Sequence, residues 1–145
     1  MNPIEPEARS TVTVLRVGAS EGMWRIGSAG STYYLLDLDR VAVVRVRGVG
    51  SGRFPFDGQW SHLLEVSSWD LGSGVPEPDI VRVGCRPRYT FDPHPTWPDE
   101  EWRWQRVVTS ICRITREDAA ALRAQFAAGE EGERRSTAEG EPMPD

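Results

Sequence analysis

The chain has 145 residues, of which 39% are hydrophobic and 27% charged, with a net charge of −5. That suffices for one domain of ordinary size, and no apolar run approaches the roughly 20 residues of a transmembrane helix. All 17 basic residues are arginine, which excludes the P-loop, Schiff-base catalysis and Ser-x-x-Lys acylation, each of which needs a lysine.

Residues 1–10 hold two acids and two prolines but no apolar stretch, so they read as a flexible N-terminus and not as a secretory signal. Residues 11–17 alternate as a strand, and 18–22 turn the chain. A short strand follows at 23–27 with Trp24 and Ile26 on one face. Ser28-Ala29-Gly30-Ser31 supplies a tight reversal, 32–38 is rich in β-formers, and Asp37-Leu38-Asp39-Arg40 marks the next reversal. Residues 41–47 return as a valine-rich strand, completing a meander of sequence-local contacts. Residues 23–47, from Trp-Arg-Ile through Tyr-Tyr-Leu-Leu-Asp-Leu-Asp to the valines, resemble the opening of a loose family of small all-β proteins from high-GC bacteria. The resemblance implies the meander and brings no function with it.

Residues 48–58 are a glycine-rich loop anchored by Phe54 and Phe56. Strands are expected at 62–69 and 80–86, with a Gly/Pro loop at 71–78 between them. The longest candidate is 102–114, apolar on both faces, as a central or corner strand of a barrel would be. At Thr115 the pattern changes to a helix over 116–128. Thr115 is the N-cap, Asp118 stands at the capping-box position, and Ala119, Leu122 and Phe126 form an apolar stripe before Gly129 as the stop. Residues 129–145 read as an acidic, disordered tail. Residues 130–145 offer no apolar anchor, so their removal is expected to leave stability unchanged. The expected architecture is mainly β: a small antiparallel barrel or sandwich of six to seven strands in one domain, 11–128, closed by one helix.

Charge is unevenly placed. Residues 117–145 hold eight acids and three arginines, whereas residues 1–116 balance at 14 of each. Within that neutral body, residues 41–52 contain no acid, and Arg45, Arg47 and Arg53 form a basic stretch. Beside Tyr33, Tyr34 or Trp60 it could stack and neutralise single-stranded nucleic acid.

Catalytic patterns are sparse. Cys85 and Cys112 read as free thiols of a cytoplasmic protein, and with His62 and His94 they lack metal-ligand spacing, so neither a metal nor a cofactor is expected. Asp37 and Asp39 suit turn capping, and Asp92 with His94 belongs to an Asp-Pro-His-Pro turn. Gly48 to Gly52 lacks the following helix that a dinucleotide loop needs.

The unusual segment is 87–104, read as a long loop with Tyr89, Phe91, His94, Trp97, Trp102 and Trp104 among four prolines. Proline presents aromatic groups at low ordering cost, and such loops often carry function. Tyr89, Phe91, His94 and Trp97 are therefore candidate contacts, unless the segment folds back as a lid. Pro95 and Pro98 bracket Trp97, which favours recognition there, whereas Trp102 and Trp104 share a strand face and are expected in the core. The function expected from these features is non-enzymatic: a small cytoplasmic binding or regulatory protein with a protein partner and no membrane. An inhibitor, an immunity protein or a phage-type accessory protein fits, and single-stranded nucleic-acid binding is the alternative.

Overall fold

Short apolar-polar alternations separated by glycine and proline turns fold into strands because each can bury only one face alone. The computed structural model describes residues 10–140, with side chains through Gly132. Eleven strands appear among them: β1 (Thr11–Val12), β2 (Val14–Arg16), β3 (Met23–Ser28), β4 (Tyr33–Asp37), β5 (Ala42–Val46) and β6 (Ser61–Trp69). They continue as β7 (Pro76–Pro78), β8 (Ile80–Arg82), β9 (Arg86–Asp92), β10 (Glu101–Trp104) and β11 (Val108–Ile114) before helix α1 (Arg116–Gly140).

All pairings are antiparallel. The main sheet runs β1-β11-β3-β4-β5-β6-β9-β10 with β7 also against β6, and β2 pairs with β8 in a second sheet. The expected mainly antiparallel β architecture is present, but as two sheets and not as a closed barrel. Thr13 separates β1 from β2, and Asp79, at φ 64°, separates β7 from β8. Each of these segments changes partner at that residue, so the small sheet bridges the main sheet's two flanks.

Two apolar layers result. Trp24, Ile26, Leu36, Val66, Val81, Tyr89 and Ile111 fill one side of the main sheet. Met23, Leu35, Val44, Val46 and Ile114 fill the opposite side, where Ala119, Leu122 and Phe126 of α1 cover them as the apolar stripe requires. The meander strands are thus apolar on both faces because both faces are covered. Fully burying each large side chain contributes roughly 1.5–3 kcal/mol.

The helix begins as the sequence indicates. The Asp118 amide donates to Thr115 Oγ1 at 2.9 Å, and the Thr115 amide donates to Asp118 Oδ2 at 3.3 Å. It does not stop at Gly129 but continues to Gly140. A mid-helix glycine costs about 1 kcal/mol. Here the following residue, Glu130, offsets that cost by pairing with Arg47 and Arg53. Glu130, at the start of the expected tail, therefore touches the body through ion pairs and not through an apolar anchor. Residues 1–9 of the expected flexible N-terminus and residues 141–145 of the tail lie outside the described residues.

Two expected strands are each broken. The 80–86 strand turns at Gly84, φ 92°, separating β8 from β9. The 102–114 strand ends at Trp104 and resumes at Val108, because Gln105 turns inward to bond β3 and β9. The expected loop over 87–104 is instead a β9–β10 hairpin with irregular chain only at 93–100, and Pro76–Pro78 in the expected 71–78 loop pairs as β7. No helix among the described residues is long and apolar enough to cross a membrane.

Candidate binding cleft

The hairpin sorts the aromatic segment by strand parity. Tyr89 and Phe91 point inward. Tyr89 is fully buried, stacks on Tyr34 at 4.5 Å and donates its hydroxyl to Gln105 Oε1, and burial holds its pKa well above the ordinary range. Phe91 is also core. Neither is available as a contact, which corrects their candidacy.

His94 and Trp97 lie in the 93–100 connection. The imidazole stacks on Trp97 with ring centres 4.5 Å apart, meets the edge of Phe56, and places Nε2 3.0 Å from Asp99 Oδ2. Trp97 is 58% exposed, the state a recognition anchor requires.

Trp102 and Trp104 depart from expectation. They share a strand face, but it is the outer one, and Trp102 is 49% exposed. Arg88 lies over the Trp102 ring at 4.9 Å and Arg86 over Trp104 at 5.2 Å, while Trp69 of β6 meets Trp104 edge-on at 5.5 Å. Arginine stacking on an exposed indole is worth about 0.5–1 kcal/mol and restricts its rotamers. The Trp-Arg-Trp alternation at 102–104 carried this signal, but strand parity alone does not say which face meets water.

Phe54 and Pro55 of the 48–58 loop stand opposite β10. Between them is an open cleft of about 610 Å³, walled by Phe54 and Pro55 on one side and by Trp102, Arg103 and Trp104 on the other. Arg103 spans the base, donating to Trp102 O at 2.8 Å and to Pro55 O at 3.1 Å. Phe54, 45% exposed, is held by the guanidiniums of Arg45 at 4.3 Å and Arg103 at 5.4 Å. Both aromatic walls are thus packed against arginine.

The expected basic track is neutralised within the chain. Arg45 pairs with Asp57 at 2.6 Å, Arg47 with Glu130, and Arg53 with Glu130 at 2.7 Å. Arg47 and Arg53 line a second cleft of about 520 Å³ between the 48–58 loop and α1, with Phe126 in its wall. Its charges already answer one another. Tyr34 is buried, its hydroxyl pushed up to about 12 by burial, and Tyr33 and Trp60 pack with the helix-side layer, so none of the three stands free as a stacking platform.

No group of His, Cys, Asp and Glu that could hold a metal ion occurs among the described residues. Compared with known proteins, the chain matches no family model, no curated sequence and no solved structure.

Proposed function

We propose that this domain is a non-enzymatic binding module that takes a protein partner in the cleft between Phe54–Pro55 and Trp102–Trp104. The carrying observation is that two half-exposed aromatic rings, each clamped by arginine, face one cleft. Aromatic and arginine anchors dominate interface energetics, and rings already immobilised forfeit little entropy on binding. The imidazole nearest to a catalytic arrangement, His94, is occupied by Asp99 and Trp97, which supports a positioning duty for it. A cytoplasmic inhibitor, immunity or accessory protein fits this reading.

The test is affinity capture from the native host with nucleic acid depleted, using the full chain beside Phe54→Ala and Trp102→Ala. A partner retained by the parent and lost by both variants is the expected result. Equal capture by all three would sink the cleft.

A second reading, single-stranded nucleic-acid binding, is favoured by one observation: Arg86 and Arg88 alternate with Trp104 and Trp102 on one outer face. Stacking of that kind is sequence-tolerant and binding would be steeply salt-dependent. Single-stranded DNA or RNA titrated at about 50 mM salt decides it, with absence of binding ending this reading.

A further inference from the structure

Beneath the 48–58 loop, three buried polar atoms make no hydrogen bond of sound geometry among the described residues: Tyr34 Oη, which the Arg45 guanidinium approaches, Asp57 Oδ1 and Ser61 Oγ. They come from β4, the loop and the start of β6, yet Tyr34, Asp57 and Ser61 all line the same cavity of about 10 Å³. Orphaned buried groups are rare, and three on one cavity is a pattern and not scatter. The chamber's surface is mostly apolar, but a volume of that size holds a single water where polar atoms reach it, and such a water typically makes about three hydrogen bonds.

We propose that this chamber is a binding site for one ordered water that joins Tyr34, Asp57 and Ser61. The chemistry selects the occupant. Asp57 Oδ1 can only accept, so the occupant must donate, which excludes chloride or any other bare anion. Arg45 and Arg103 also line the chamber, so an ammonium or metal cation would meet two guanidiniums against one carboxylate. A neutral donor and acceptor of one heavy atom satisfies all three groups. Water donates to Asp57 Oδ1, and the two hydroxyls complete its coordination.

The site has a consequence for the loop. Asp57 Oδ2 accepts from Arg45 Nη1 at 2.6 Å and from the Phe54 amide at 3.0 Å. A water on Oδ1 completes the carboxylate's bonding and ties the loop to β4 and β6. Phe56, which covers the chamber, holds a left-handed backbone at φ 72°, a costly conformation for a bulky residue. Bonds beneath it help to maintain that geometry.

Two measurements on the full chain test the proposal. A crystal structure at about 1.5 Å should show one water within hydrogen-bond reach of all three atoms. An empty chamber, or the three groups paired with one another, overturns it. The second measurement uses Ser61→Ala and Tyr34→Phe in denaturant melts. With water present, each removes a partner and lowers the folding equilibrium constant roughly 2- to 10-fold. In a dry chamber each removes an unsatisfied hydroxyl and raises that constant, so a rise in both variants overturns the proposal as surely as an empty map.

Discussion

Tyr89 donates its hydroxyl to Oε1 of Gln105 at 2.7 Å, and Gln105 donates its side-chain amide to the carbonyl of Ile26 at 2.8 Å. The Gln105 amide also reaches Pro87 O at 2.9 Å, and Gln105 O accepts from Arg86 Nε at 3.0 Å. One buried glutamine therefore joins β3 and β9 at the point where the chain passes from β10 to β11. Satisfied polar networks of this kind specify one arrangement, since breaking one leaves partners stranded in low dielectric.

Gln105→Leu should accordingly destabilise by about 1–3 kcal/mol, because it orphans the Tyr89 hydroxyl and the Ile26 carbonyl together. Urea melts of Gln105→Leu, Tyr89→Phe and the double variant check this. The double variant should lose less than the sum of the singles, and strict additivity would deny the coupling.

The exposed indoles should separate binding from folding. Trp97→Ala and Trp102→Ala are each expected to cost about 1 kcal/mol or less, the worth of the stacking removed. Trp24→Ala, from the core, should cost about 3–5 kcal/mol. Trp102→Ala melting as early as Trp24→Ala would return Trp102 to the core.

Glu130 should matter where the rest of the tail does not. Its carboxylate is shared by Arg47 and Arg53, and the Arg47 side chain is nearly buried. Glu130→Ala is expected to destabilise by about 1.5–3 kcal/mol, the range for hydrogen bonds to a charged group. Truncation after Gly132 keeps the pairing and should leave the thermal midpoint almost unmoved. Equal loss from both changes would show that residues beyond 132 contribute to stability.

Acid should loosen the start of the helix first. Burial alone would push the Asp37 carboxyl up, but hydrogen bonds from Arg116 and from the Arg40 and Asp39 amides outweigh it and hold the carboxyl below its ordinary 3.8. Asp39 is lowered likewise, by the Gly22 amide and Arg116. A depressed folded value means that the stabilisation is complete above the unfolded value and is lost as pH falls through the folded one. Stability measured from pH 5 to 2 should therefore decline below about pH 4, and Arg116→Ala should flatten that decline. An unchanged slope in the variant would remove Arg116 as the cause.

Several features were legible from residue order because their causes are local. The capping box at Thr115 and Asp118, the meander through 23–47 and the apolar stripe of Ala119, Leu122 and Phe126 depend on neighbours within a few positions. The Trp97 exposure expected of a recognition anchor likewise agrees with its bracketing prolines. Tertiary structure alone decided which side of β10 faces water, since Trp102 and Trp104 alternate identically whether that face is covered or bare. It decided the fate of Tyr89 and Phe91, read as loop contacts until β6 paired with β9 and turned them inward. It also carried the helix through Gly129, where a long-range pair from Glu130 to Arg47 outweighs a local stop signal. Long-range pairing sets these outcomes because period and propensity choose an element's type, while partners distant in sequence choose its ends and the face it buries.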